Sequence, residues 1–399
     1  MSGVNIEYKG ESIATIPNTG SKTIKTQGKY CEGDILVEYE APPTPTPVEE
    51  KYINFIDYDG TVLYSWTEEE LQEATELPPL PIKEGYTNLG WNWDLVNLKT
   101  QPFPIWVGVY GVKPVNSSSA LLYEFNPDDP LDIAIQIDSM QSGKTLTVDY
   151  GDGTTDTLSA NGTFSHTFST AGKYLVKFAY DGTNFRLRSV ATGLRNIIEA
   201  FIGEDTKLYQ DIFTSAYSLV NLSLSAQKQI VYNVIGGGRS TCLNCWIIPK
   251  GATNCDRIGA SRTVTSIPYS VTAGIYVVFG NYNVLNKEIM LHNNITTVGE
   301  SMFWGIRNVK TISIPKSVTT IQTNAFGGIY EKQNVDLSEY DDPTNIPTLE
   351  NINAFSGASN IGSIFTRNQS MLDAFAGATN WSTYAAKFVI GGKFAEVTP

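Results

Sequence analysis

From Ile295 onward the apolar positions recur with a long period. Ile295-Thr296-Thr297-Val298, Met302-Phe303 and Ile312-Ser313-Ile314-Pro315 reappear 23 residues later as Val318-Thr319-Thr320-Ile321, Ala325-Phe326 and Val335-Asp336-Leu337. An offset held across three landmarks predicts stacked units, each too small to bury its apolar face alone. Asn353-Ala354-Phe355 continues the series at a wider spacing, and Ile248-Pro249-Lys250 and Ile267-Pro268 match Ile314-Pro315-Lys316 upstream. Leu372, Phe375, Trp381 and Tyr384 form an amphipathic stretch suited to closing the last unit's open core.

Further upstream the period shortens to two. Tyr174, Val176 and Phe178 alternate as a half-buried strand after the turn residues Ala171-Gly172. Residues 54–66 read as strand, Asp59-Gly60 turn and strand, because Asp-Gly tolerates the positive φ of a tight hairpin. Thr67 followed by Glu68-Glu69-Glu70 predicts a short helix: the hydroxyl caps the first turn, and the carboxylates complement its partial positive charge. Pro78-Pro79 ends that segment. Residues 1–40 alternate around Ile24 and Ile35-Leu36-Val37 between Gly20, Gly28 and Gly33, a small β module that buries too little to stand alone. Four prolines in Ala41-Pro42-Pro43-Thr44-Pro45-Thr46-Pro47 predict an extended spacer over 41–49.

Three stretches resemble known families. Pro81, Gly85-Tyr86 and Gly90-Trp91-Asn92-Trp93 resemble the internalin-type B-repeat, which implies a β-grasp-like module over 50–115. Segments of the form DYDGTVLYSWT, LPPLP and GWNWD are also similar to those of tail-associated phage proteins. Asp149-Tyr150-Gly151-Asp152-Gly153, then His166 and Ala171-Gly172-Lys173-Tyr174, resemble the PKD-type, immunoglobulin-like domain, which implies a β-sandwich over 116–182 with a structural role for His166. Tyr150 stands where that family carries Trp. The 23-residue repeats resemble BspA-type leucine-rich repeats, which implies a repeat solenoid over 190–399, with 190–290 matching more loosely. The predicted fold class is therefore mainly β and multidomain: a small N-terminal β module, a β-grasp-like module, a β-sandwich and a leucine-rich-repeat solenoid.

Charge narrows the partners. Twenty-eight Lys and Arg against 41 Asp and Glu leave a net −13, which argues against nucleic acid and anionic membranes as ligands. No run of 18 uncharged apolar residues predicts membrane insertion. The first thirty residues lack the basic start and apolar run of a secretory signal, and the C-terminal Phe394–Pro399 shows no anchor, so a secreted or wall-bound protein is the weaker expectation.

Candidate chemistry is sparse. Cys242 and Cys245, with Cys255, have the spacing of a partial zinc site or a disulfide, yet only His292 or Asp256 offers a fourth ligand. Small apolar core thiols are the expectation. Asp149, Asp152 and Asp156 carry oxygens for Ca²⁺, although Asp in Gly-Asp-Gly ordinarily bonds its own turn. Glu68-Glu69-Glu70 and Asp341-Asp342 read as solvated charge rather than an acid and base pair. Gly236-Gly237-Gly238-Arg239 lacks the Lys-Ser/Thr of a phosphate loop, and no nucleophile or zincin motif occurs. No catalytic residue, cofactor or metal is predicted. Among Trp66, Trp91, Trp93, Trp106, Trp304 and Trp381, Trp304 in Phe303-Trp304-Gly305 is the candidate for stacking on a ligand.

These readings predict a non-enzymatic phage virion protein, tail-associated as fibre or baseplate. The N-terminal region would hold other virion proteins, and the C-terminal domains would touch a bacterial surface glycan or protein. A trimer is expected, although no heptads appear. A capsid decoration or head-fibre protein and a bacterial cell-surface adhesin are the alternatives.

Overall fold

The short alternating segments at the N-terminus form two hairpins in the computed structural model: β1 (Val4–Tyr8) with β2 (Glu11–Ile16), and β3 (Ser21–Gly28) with β4 (Cys31–Glu38), both antiparallel. The structure describes these four strands as backbone. Between 53 and 396 it describes all residues except 102–103, 210–211, 214, 226–242, 257–264, 276–287, 304–305, 307–308, 329–331 and 356–360, with 254–256, 265, 274–275 and 288 as backbone alone. The expected spacer at 41–49 lies outside the described residues. Residues 1–50 and 51–399 form separate compact units.

In the second unit the Asp-Gly turn closes as the sequence predicts. Gly60 takes φ +90°, Asp59 Oδ1 accepts Thr61 N at 2.9 Å, and β5 (Ile53–Ile56) pairs antiparallel with β6 (Val62–Trp66). Helix α1 (Glu68–Glu73) begins in a reciprocal cap: Glu70 N donates to Thr67 Oγ1 at 3.1 Å, and Thr67 N donates to Glu70 Oε2 at 2.7 Å. Its Leu71 is buried beneath the sheet. β7 (Tyr86–Thr87), β8 (Gly90–Trp91), α2 (Leu95–Leu98), β9 (Ile105–Tyr110) and β10 (Lys113–Pro114) follow. Among the described residues the sheet order is β6-β5-β9-β8, with β7 and β10 pairing separately. Phe55 packs edge-on against Trp66 at 4.7 Å and Trp91 at 5.2 Å.

Two facing sheets come next. They are built from β11 (Ser119–Phe125), β12 (Asp132–Asp138), β13 (Leu146–Asp149), β14 (Thr155–Leu158), β15 (Gly162–Thr167) and β16 (Gly172–Tyr180); β12 and β13 bury every second side chain, and β14 at the edge buries none. The strands continue past residue 182. β17 (Phe185–Thr192) pairs with β12, and β18 (Ile197–Ile202) pairs with β11 on the side opposite β16. The orders become β14-β13-β16-β11-β18-β20 and β15-β12-β17-β19, where β19 is Thr206–Leu208 and β20 is Asn221–Leu224.

The last two pairings, β17 with β19 and β18 with β20, are parallel. Here the antiparallel sheets give way to a ladder that adds strands in one direction. β21 (Trp246–Ile247), β22 (Asn254–Asp256), β23 (Thr265–Ser266), β24 (Ala273–Ile275), β25 (Glu288–Met290), β26 (Thr297–Val298), β27 (Thr311–Ser313), β28 (Thr320–Ile321), β29 (Gln333–Asp336), β30 (Thr348–Leu349) and β31 (Ile361–Thr366) carry it forward. Among the described residues, two five-stranded parallel sheets result, β22-β24-β26-β28-β30 and β25-β27-β29-β31-β32, the last strand being Phe388–Ile390, and β21 pairs parallel with β23 beside them. The register Thr297 to Thr320 and Ile312 to Val335 is the 23-residue offset of the sequence. Helix α3 (Gln369–Gly377), capped by Asn368 Oδ1 on Met371 N at 3.0 Å, and the 3₁₀ turn Trp381–Lys387 place Phe375, Trp381 and Tyr384 over the end of the core.

One continuous core runs from Leu121 through the facing sheets and the ladder to Phe388. Phe303, Phe326 and Phe355 stack along it, with centroids 5.0 and 4.6 Å apart. A second core centred on Phe55 and Trp91 takes in Ala120 and Phe201, so the 53–114 segment shares buried surface with the sheets that follow.

Candidate functional site

The tryptophans mostly serve the cores. Trp91, Trp93, Trp246 and Trp381 are buried, and Trp66 and Trp106 are half-buried. Trp91 and Trp381 donate their indole N–H to the carbonyls of Pro78 and Pro347, each at 2.8 Å, which satisfies the polar edge of a ring that is otherwise apolar. Trp304, the predicted ligand contact, lies outside the described residues.

The Gly-Asp-Gly turn uses its carboxylates locally. Asp149 Oδ1 accepts Gly151 N at 2.9 Å, Asp156 Oδ1 accepts Thr157 N at 2.7 Å, and Asp152 Oδ1 accepts both Thr154 N at 3.0 Å and Thr154 Oγ1 at 2.6 Å. Asp152 Oδ2 lies 2.7 Å from His166 Nε2, and the imidazole stacks on Tyr150 at 4.0 Å. The Thr154 hydrogen bonds, with His166, hold the Asp152 carboxyl at about 2. His166 thereby ties strand β15 to the Gly-Asp-Gly turn. Among the described residues no three His, Cys, Asp or Glu side chains gather as a metal site.

Cys245 is buried, and its thiol donates to the Tyr58 carbonyl at 3.2 Å. Burial pushes its pKa upward, so the group is a neutral core thiol. Cys242 lies outside the described residues, as does Gly236-Gly237-Gly238-Arg239, and the Cys255 and Asp256 side chains are not described. His292, the other suggested zinc ligand, is buried between Trp93 and Tyr269 rather than beside Cys245, with both centroids 5.5 Å away. Glu70 is held by the helix cap, Asp341 by Lys316 at 2.9 Å and Asp342 by Thr344 N at 2.9 Å. These carboxylates do not converge on a shared substrate position.

A site that the sequence did not announce opens where the facing sheets become the ladder. A cleft of about 900 Å³ lies between the end of β11, the turn leading into β12, the Gly193–Asn196 corner and the 215–218 turn before β20. The corner requires glycine: Gly193 takes φ +80°, and a Cβ there would come within 2.7 Å of Ile133. Asp129 Oδ2 accepts Asn126 N at 2.7 Å, Asn126 Nδ2 at 3.1 Å and Asn196 Nδ2 at 3.0 Å, so one oxygen fixes two amide side chains from separate loops. Glu124 lies 3.4 Å from Lys173. Tyr217 is 47% exposed, and the Arg195 guanidinium lies over its ring at 5.5 Å. The Asp132 side chain has no hydrogen bond or ion pair among the described residues. No local motif marks these residues, because the cleft is assembled from segments that run from Glu124 to Ser218 in the chain.

Comparison with known proteins adds one finding. No curated protein and no solved structure matches the chain. Residues 262–382 match the family described as BspA type Leucine rich repeat region, in six copies. That stretch begins just before β23 and ends in the 3₁₀ turn that covers the ladder's last strands, so the C-terminal part of the parallel ladder is a BspA-type leucine-rich-repeat region.

Proposed function

We propose that this chain is a non-enzymatic surface-adhesion protein carried on a phage particle, with the tail as its place. The observation that carries the adhesive part is the six-copy BspA-type region at 262–382, a repeat type that points to surface adhesion, built here on a parallel ladder. Stacked repeats offer a long surface at little cost in flexibility, which suits recognition of an extended target. The phage part is supported by the resemblance of residues 57–67, 77–81 and 90–94 to segments of tail-associated proteins.

In this reading residues 116–182 are a PKD-type sandwich whose sheets continue into the repeats, 50–115 is the β-grasp-like module, and 1–40 attaches to the virion. Other virion proteins bind the N-terminal region, a bacterial surface glycan or protein binds the C-terminal region, and trimeric presentation multiplies weak contacts. Immunogold labelling of purified particles with an antibody against residues 190–399 tests it. Label at the tail tip is the expected result. Label over the head would make the protein a capsid decoration, and particles without label would leave the bacterial cell-surface adhesin, which the repeat family itself favours.

A further inference from the structure

We propose that the cleft between the facing sheets and the ladder is a binding site for a neutral saccharide. The inference rests on the adhesive reading above and names the ligand chemistry of one site within it. At about 900 Å³ the cleft falls within the range of roughly 300–1,000 Å³ typical of small-ligand sites.

Its walls match what a sugar presents. A pyranose offers hydroxyls that both donate and accept around a ring with an apolar face. Asn126 supplies both functions and Asn196 an accepting amide oxygen, because its two N–H groups are taken by Asp129 and the Glu124 carbonyl; Asp129 holds both amides in place, so little side-chain ordering remains to be done on binding. Asp132 supplies a carboxylate with no partner among the described residues. Tyr217, nearly half exposed beside Arg195, provides the flat apolar surface on which a sugar face packs.

Charge selects against the other ligand classes. Glu124, Asp129 and Asp132 line the cleft with a single guanidinium, Arg195, so phosphate and uronate groups meet net repulsion. A basic peptide meets less attraction than the carboxylate count suggests. Glu124 already neighbours Lys173, and one Asp129 oxygen is engaged by three N–H donors.

The full-length chain, its Tyr217→Ala variant and its Asp132→Asn variant should be applied to an array of neutral mono- to tetrasaccharides, with hexalysine titrated in solution as the cationic probe. Both substitutions are at the cleft surface, and unchanged unfolding midpoints would confirm intact folds. The expected result is binding of at least one saccharide class, weakened tenfold or more by each substitution. No saccharide bound by the parent chain, or binding that both variants retain in full, overturns the proposal. So does hexalysine binding that Asp132→Asn abolishes while no sugar binds. Adsorption to bacterial cells separates this failure from that of the adhesive reading. Cells bound equally by parent and variants, with no saccharide bound, leave adhesion standing without the cleft. Saccharide binding with no adsorption to any cell leaves the cleft without adhesion.

Discussion

Asn92 Nδ2 donates to Ser266 Oγ at 2.9 Å across 174 residues of chain. The same amide donates to the Ile248 carbonyl at 2.9 Å, Asn92 Oδ1 accepts Gly108 N at 2.9 Å, and Ser266 Oγ donates to the Trp106 carbonyl at 2.6 Å. One buried side chain thus stitches β9 to β23 and to the residue after β21, joining the 53–114 segment to the ladder. Removing it strands several buried donors and acceptors together. Asn92→Leu is expected to destabilise the protein by about 2–4 kcal/mol, since each unsatisfied buried group costs about 1–3 kcal/mol, and thermal unfolding monitored by circular dichroism reads the loss.

Gly108 is needed at the same seam for a different reason. A Cβ at that position would lie within 2.5 Å of Ile247 side-chain atoms. Gly108→Ala is expected to cost about 1–3 kcal/mol through overpacking, and combining it with Ile247→Ala should recover part of that loss rather than add to it. A double-mutant cycle on the unfolding midpoint gives the sign of the coupling.

His292 makes stability dependent on pH. Burial between Trp93 and Tyr269 holds its pKa down to about 4, against a smaller raising influence from the Pro268 carbonyl, whereas the unfolded imidazole titrates near 6.5. The unfolded chain therefore takes up this proton first as pH falls. The stabilisation is full above pH 6.5, is lost progressively down to about pH 4 and changes no further below that. The loss is on the order of 3 kcal/mol. Unfolding midpoints measured from pH 7.5 to 4 should show this acid limb in the parent chain, and His292→Phe should flatten it.

The phenylalanine stack carries the ladder's interior. Phe326 touches Phe303 and Phe355 and is 1% exposed. Phe326→Ala is expected to cost about 3–5 kcal/mol and Phe326→Leu distinctly less, because leucine refills most of the cavity. Chemical denaturation of the three chains ranks them.

Truncation tests where the modules divide. Independent modules predict that residues 1–181 fold after removal of 190–399, but β11 lies between β16 and β18, and β12 lies between β15 and β17. Ending the chain at 181 strips one neighbour from each central strand and uncovers Leu121, Tyr123, Ile135 and Ile137. That fragment is expected to aggregate or bind a hydrophobic dye, while residues 51–399 keep the unfolding transition of the whole unit. Size-exclusion chromatography and dye fluorescence distinguish the two outcomes.

Much of the local structure was legible in the chain. The Asp59-Gly60 hairpin, the Thr67 cap and the 23-residue offset each depend on residues close together in sequence: a turn needing positive φ, a hydroxyl three positions from its amide, a repeat needing its neighbour's apolar face. The aromatic residues predicted to close the array, Phe375, Trp381 and Tyr384, are buried there for the same reason. The cleft gave no such signal. Asp132 at the start of β12, Arg195 in the 194–196 corner and Tyr217 in the turn before β20 come from three separate segments, and no spacing rule relates them.

Local pattern was enough for the elements and for the period of the ladder, because hydrogen-bonded turns, caps and period-two or 23-residue patterning are settled within or between adjacent segments. Packing at long range sets where the antiparallel sheets pass into the ladder and where the cleft opens. Parallel pairing of β17 with β19 and β18 with β20 turns the sandwich edge into the first rung of the ladder. Burial of Asn92, Gly108 and His292 depends on surfaces contributed from more than 130 residues away. Such contacts are selected by the fit of two finished surfaces, a property of packing that no local pattern encodes.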